Sequence, residues 1–286
     1  MKTALQKLGL RLFLLAGLSL LGGLLGATLV RFAPGYGVDE RELDPRLNQA
    51  SIEAIRGENQ LKSGLLAYYG TYLSRAIHGD FGTSQWLDRP VSSLLRERFR
   101  VTARSVLLGI ALAWALALAL SLASLLFWRD LLDISGTVLS GVLIALPAAV
   151  VAMLAVYLRA PASAAIAAVT FPKLLRYLRN LLAHACDQPY VTAARARGIG
   201  SPAILFRHVL PLAAPGLLAL LGISLSIAFG AAIPIEALCD SPGLGQLAWQ
   251  AALNRDLPLI VNLTLLITMF TVAFNALANI ANEKAA

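Results

Sequence analysis

From Val106 to Phe127 the chain reads VLLGIALAWALALALSLASLLF, with no charged side chain. About 20 consecutive apolar residues suffice to cross the hydrocarbon core of a bilayer as a helix. Only a helix or a closed barrel satisfies its own backbone there. Comparable runs recur at 12–30, 134–158, 160–182, 213–237 and 259–280. Composition points the same way, with 58% apolar and 14% charged residues. Soluble domains carry about 25% charged residues, so this chain has too little polar surface to cover itself in water. The pattern predicts an all-α integral membrane protein of about six transmembrane helices, to which length-based counts of soluble domains do not apply.

Lys2, Lys7 and Arg11 precede the first run. A secretory signal has an apolar region of roughly 7–15 residues before a small-residue cleavage site. The run 12–30 is longer and ends in RFAPG, so a retained helix with a cytoplasmic N-terminus is expected. Gly22 and Gly26, four apart, offer a close-packing face. Residues 32–102 are richer in acids and aromatics, among them Asp39, Glu53, Tyr68, Tyr69, Phe81 and Trp86. They are read as an extracytoplasmic subdomain of short helices. The organisation predicted is residues 1–31 as the N-terminal helix, 32–102 as that subdomain, and 103–286 as a five-helix core.

Charge sets the orientation. The segments expected inside carry Lys2, Lys7, Arg11, Arg129, Lys173, Arg176, Arg179, Arg195, Arg197, Arg207 and Lys284. The two short outer loops carry Arg159 and Arg255. This asymmetry places both termini in the cytoplasm. Arg96, Arg98, Arg100 and Arg104 cluster outside, where the long loop exempts most of them from the rule. The net charge of +8 lies mostly beside apolar runs, which argues for membrane anchoring against nucleic acid. Cys186 and Cys239 have neither metal-ligand nor disulfide-framework spacing, and this topology puts them on opposite sides of the membrane. His78 and His184 stand alone, and no catalytic triad or metal cluster is visible.

Between the fourth and fifth spans lies YVTAARARGIGSPAILFRHVLPLAAPG. Pro189 suits a first helical turn, and Gly198 suits a left-handed C-terminal stop. Ser201-Pro202 suits a second start, with the Ser hydroxyl capping and the second helix ending near Pro211. The coupling loop 187–211 is therefore predicted to be a helix, a turn and a second helix before the chain re-enters the membrane. Thr192, Ala193 and Ala194 permit close approach, Arg195, Arg197 and Arg207 supply charge, and Ile199 makes the turn partly apolar. This knob suits a groove on a soluble partner. A solvated basic loop is the plainer reading, and a DNA-binding helix-turn-helix is remote for a segment tethered at both ends.

Ala193-Ala194, Gly198 and Leu210-Pro211 stand at the spacing of the EAA loop of ABC-transporter permeases, which they resemble. RFAPG is similar to the RLxPGDP opening of the oligopeptide/dipeptide/nickel branch of ABC importers. YYGTYLSRAIHGDFGTSQWLDRPVSSLLRERF (68–99) and SPGLGQLAWQAALNRDLPLI (241–260) are similar to its GDLG-S…PV and PGLG…RD-P stretches. The resemblance covers nearly the whole chain in order. It departs at Thr192, which stands where the naming Glu would be, at His208 in an apolar position, and in residues 32–68.

The resemblance implies a permease subunit of the bacterial inner membrane that forms a translocation path and is not itself an enzyme. The absence of a G-x-x-x-x-G-K-[ST] motif agrees. Implied partners are a second permease subunit in a heterodimer, two ATP-binding cassette ATPases that use ATP-Mg, and an extracytoplasmic substrate-binding protein. No cofactor bound by this chain and no nucleic acid are implied. Thr192, Ala193, Ala194, Arg195, Arg197, Gly198, Ser201, Leu210 and Pro211 are the implied ATPase-coupling residues. Candidates for the gate or substrate path are Glu236, Pro242, Gly243, Gly245, Thr268 and Asn275. Glu236 is an ionisable group at a membrane helix end, a functional candidate by default; gate and substrate contact both stay open for it. Thr264, Thr268, Thr271 and Asn275 share a helical face that suits either interhelical hydrogen bonds or a cavity lining. Pro147 and Pro234 are expected to mark kinks. Peptides, nickel chelates and other small solutes remain open as cargo. A self-sufficient channel or secondary transporter, and a scaffold for other membrane proteins, are the alternatives.

Overall fold

The computed structural model describes residues 78–126 and 140–283, together with 17, 20–25, 28, 70, 74–76 and 138. Gly26 and residues 32–68 lie outside the described residues. The described chain is helical: α1 Val91–Leu126, α2 Ala148–Tyr157, α3 Ala162–Cys186, α4 Pro189–Ala196, α5 Ser201–Leu238, α6 Leu244–Leu253 and α7 Leu257–Glu283. Among the described residues the one isolated bridge pairs Thr83 with Pro90.

Among the described residues, three stretches are long and apolar enough to cross a membrane: Val91–Ser124, Ser201–Leu238 and Leu257–Ala276. They correspond to the second, fifth and sixth predicted spans. The helix containing the second span starts at Val91, well before Val106, because Arg96, Glu97, Arg98 and Arg100 continue it beyond its apolar part. It runs unbroken through the expected boundary at 102/103. The fourth span is α3, which buries Leu174, Leu175, Leu178 and Leu182 and leaves Arg176 exposed. The third is interrupted. Residues 140–145 are helical, Leu146 bends, and Pro147 (φ −60°, ψ 144°) caps α2 in an extended conformation. Pro147 is thus a break where a kink was expected, since it can neither donate a helical hydrogen bond nor fit its ring against the preceding turn. Pro234, by contrast, stays inside α5.

The chain divides into two compact units, Met1–Glu97 with Ala248–Met269, and Arg98–Leu247 with Phe270–Ala286. In the second unit α5 packs mainly on α3 and also on α2. Small residues make these contacts close. Ala113, Ala117 and Ala167 join Leu174, Leu175, Leu178 and Leu220 in one core. A Cβ at Gly109 would fall 2.8 Å from Ile166 Cγ2, and one at Gly216 would fall 2.6 Å from Leu181 Cδ1. Small interfaces of this kind replace the hydrophobic drive that apolar lipid cannot supply. The Trp114 indole donates to Ser224 Oγ at 3.0 Å, and that hydroxyl donates to the Leu221 carbonyl.

In the first unit residues 79–91 fold into a tight loop. Gly82 takes φ +74° and donates its N–H to Asp80 Oδ1 at 3.0 Å, while Val91 N–H closes the loop on the Gly82 carbonyl. Gly22 backs onto Thr268, where a Cβ would fall 2.6 Å from the Thr268 hydroxyl. The predicted close-packing role of Gly22 is thereby met.

Candidate functional site

The first feature is the 187–211 loop. Gln188 caps α4 and Pro189 occupies its first turn, as expected. Gly198 takes φ +77°, its N–H reaches the Arg195 carbonyl at 2.9 Å, and Ile199 N–H reaches the Ala194 carbonyl at 3.2 Å. This is the paired closure of a Schellman stop, which glycine enters without Cβ strain. The second start differs from expectation: Gly200 is the N-cap and Ser201 is already helical, with no side-chain cap. Nor does that helix end at Pro211. It is the first turn of α5, which passes through a π turn at Leu205–Val209 and runs on to Leu238. The wider turn gives the Pro211 ring room against the preceding carbonyls, so the proline is absorbed.

Burial separates the predicted coupling residues into two groups. Val191 and Ala194 point inward and form a core with Leu182, Cys186, Ile204, Leu205, Val209 and Ala213. Ile199 and Leu210 pack against the same core. Ala194 is therefore buried in this core, and Ile199 is partly covered by it. Thr192, Ala193, Arg195, Arg197, Gly198, Ser201 and Pro211 are exposed. So is Phe206, which sequence reasoning missed. Between residues 188 and 235 there is no acidic side chain, so every charged side chain exposed from Gln188 to Pro211 is basic, while the exposed Asp187 stands at the start of the loop. His208, in its unusual position, packs its ring against Tyr190 with centroids 6.4 Å apart.

The second feature is centred on Glu236, fully buried on α5. Its Oε2 accepts from the Thr102 hydroxyl at 2.9 Å and from Gly245 N–H at 2.8 Å. The same Thr102 oxygen accepts from Leu244 N–H at 2.8 Å. The Ser241 N–H returns to the Glu236 carbonyl at 3.0 Å. The Pro242–Gly245 segment is thus folded over the carboxylate. A Cβ at Gly243 would collide with the Glu236 carboxylate, and one at Gly245 would collide with the Ile233 backbone. The structure therefore brings Glu236, Gly243 and Gly245 together, while Pro242 faces outward. One turn along α1 from Thr102, Arg98 donates to Gln246 Oε1 at 3.0 Å, and Gln246 in turn donates to Asp240 Oδ1.

The third feature was not singled out in the sequence. Asp256, fully buried, accepts from Leu259 N–H through Oδ1 at 3.1 Å and so caps α7. Its Oδ2 accepts from the Ser84 hydroxyl at 2.5 Å and from Trp86 N–H at 3.2 Å. Asn262 Nδ2 donates to the Phe81 carbonyl at 3.0 Å. The GDFGTSQW and RDLP stretches are therefore two sides of one contact. The signal available was that pair of motifs, each containing one member.

Thr264 and Thr268 donate back to the carbonyls of Ile260 and Thr264 at 2.9 and 2.7 Å. These hydroxyls are satisfied within their own helix, and Asn275 is exposed. Phe99, Phe229, Phe270 and Phe274 form an aromatic cluster with centroid separations of 5.2–6.1 Å. Neither Cys186 nor Cys239 is joined in a disulfide.

The family described as binding-protein-dependent transport system inner membrane component matches residues 105–284. A protein of Brucella suis biovar 1 (strain 1330) named as a peptide permease is 29% identical over 301 residues, covering 94% of each chain. The oligopeptide transport system permease proteins OppB of Salmonella typhimurium and Escherichia coli are each 28% identical over 263 residues, covering 84% of each chain. With more than half its length matched, the chain belongs to the binding-protein-dependent transport system inner membrane component family.

Proposed function

We propose that the chain is the permease subunit of an ATP-driven importer of peptides, working beside a second permease, two separate ATPases and an extracytoplasmic binding protein. Family membership supports the permease role, and the names of the relatives support peptides as cargo. The observation that carries the coupling assignment is the construction of the 187–211 loop. Its cationic face is exposed, while its inner face is fused to the ends of α3 and α5 in one core. A push on α4 is thereby passed to two helices at once, because a close-packed core moves as a body and does not deform gradually.

In this reading α4 seats on an ATPase, and ATP-driven closure of the ATPase pair swings α3 and α5 between inward-open and outward-open arrangements. ATP binding favours one arrangement by the difference in its binding energy between the two. Both termini and the loop face the cytoplasm, in keeping with the distribution of Lys and Arg. The 79–91 loop and the Pro242–Gly245 segment face outside, toward the binding protein. Glu236 with Gly243 and Gly245 belongs to the gate.

The test is purification of the tagged chain in mild detergent followed by mass spectrometry. Recovery of a second six-span protein and an ATPase is the expected result. Recovery of the chain alone, still transporting after reconstitution, would instead identify a self-sufficient channel or secondary transporter.

A further inference from the structure

Two buried polar atoms near the Pro242–Gly245 segment have no hydrogen-bond partner: Glu236 Oε1 and Arg98 Nε. One is a carboxyl oxygen, which accepts, and the other a guanidinium N–H, which donates. Leaving either unpaired out of water is costly. Arg98 lies one helical turn before Thr102, and Thr102 touches Glu236. Residues four apart on a helix lie about 5–6 Å apart at Cβ, so the long guanidinium arm has the reach to meet the carboxylate. The segment keeps the two groups occupied elsewhere: Gly245 N–H takes Glu236 Oε2, which also accepts from the Thr102 hydroxyl of α1, and the Gln246 side chain holds Arg98.

We propose that Arg98 and Glu236 are the two halves of a switch. With residues 241–247 seated, each binds that segment; with the segment withdrawn, they bind each other. Withdrawal removes Gly245 and Gln246 together, since these are adjacent residues. It frees acceptor and donor in the same step. The planar guanidinium matches a carboxylate through two parallel hydrogen bonds, so the withdrawn state is stabilised by a pair that the seated state lacks. The seated state keeps the hydrogen bonds to Thr102, Gly245 and Gln246. The segment thus has two discrete positions, each closed by its own polar set.

The proposal rests on the permease reading for the movement itself, and its test separates the two. Spin labels at Pro242→Cys and Arg104→Cys, both exposed positions in one unit, are placed in a chain with Cys186→Ala and Cys239→Ala. Their separation is measured in the complete transporter in nanodiscs, with and without ATP. Two populations are expected. Glu236→Gln keeps an acceptor for Gly245 and Thr102 but cannot form the ion pair, so it raises the seated-to-withdrawn ratio roughly tenfold. Thr102→Val removes the acceptor that Leu244 N–H uses only when the segment is seated, so it moves the ratio the opposite way, and Thr102→Ser restores it. In an Arg98→Gln background the shift from Glu236→Gln disappears, because its partner is gone.

Glu236→Gln loosening the segment as Thr102→Val does would reduce the carboxylate to a cap and overturn the switch. So would a Glu236→Gln shift that persists without Arg98, or one population that no variant moves. An ATP-dependent change untouched by these variants sinks the switch alone. Failure of any ATPase to assemble with the chain sinks the permease reading.

Discussion

The Glu236 carboxylate occupies the space that a side chain at Gly243 would need. The Pro-Gly-Leu-Gly stretch is therefore glycine-rich for lack of room. Gly243 shows no positive φ that would demand glycine on conformational grounds. Adding a methyl group to a packed site costs about 1–3 kcal/mol. Gly243→Ala is predicted to lower the thermal midpoint of the purified permease and to cut transport, while leaving ATPase assembly intact. An unchanged midpoint would mean that the segment is free to lift off Glu236 at no cost.

Ala193 and Ala194 are adjacent in sequence and opposite in role. Ala194→Asp places an acid in the core with Val191, Ile204 and Val209, where an unpaired charge costs several kcal/mol. It is predicted to destabilise the permease itself. Ala193→Asp leaves the core untouched, and its effect is confined to the partner surface. Comparing melting curves and ATPase co-purification for the two variants checks this: Ala193→Asp should keep the native midpoint and lose the ATPase. Native stability in Ala194→Asp would place that residue on the outside after all.

Asp256 ties the 79–91 loop to the start of α7 through Ser84 and Trp86. Asp256→Ala removes a helix cap and strands a buried hydroxyl and an N–H, for an expected loss of about 2–4 kcal/mol. Asp256→Asn keeps an acceptor and should lose less. Urea unfolding of the two variants orders them. Equal stability for Ala and Asn would remove the carboxylate from this role.

Cys239 donates weakly to the Ala152 carbonyl at 3.7 Å, and burial pushes its thiol pKa above the ordinary value. Burial disfavours the thiolate, so at a given pH a smaller fraction is reactive than in an exposed cysteine. A membrane-impermeant maleimide is predicted to label Cys239 slowly from outside at pH 7, and faster as pH rises. It should leave Cys186, buried beside α4, unmodified. Labelling of Cys186 from outside with no reaction at Cys239 would reverse the proposed orientation.

The parts of this protein that sequence reveals are those where one residue type solves a local problem. Pro189 and Gly198 mark the ends of α4 because each fits a backbone position that other residues strain to adopt. Apolar runs locate the long helices because lipid imposes that composition. Relationships between distant residues are not legible in this way. Thr102 and Glu236 are 134 positions apart, and neither shows by its neighbours that it meets the other. Ala194 was indistinguishable from Ala193 because α4 spans only 8 residues, too few for a periodic pattern to reveal which face turns inward. The π turn and the break at Pro147 show the same limit. Proline signals a disturbance, but the neighbouring backbone decides whether the helix widens, as before Pro211, or stops.

ATP-dependent peptide uptake into proteoliposomes containing the assembled complex tests the central claim most directly. Uptake is predicted to require ATP, the ATPase and the binding protein together, and to be lost when Ala193→Asp replaces the native chain. Peptide movement through the chain alone, without ATP and indifferent to Ala193→Asp, would contradict it.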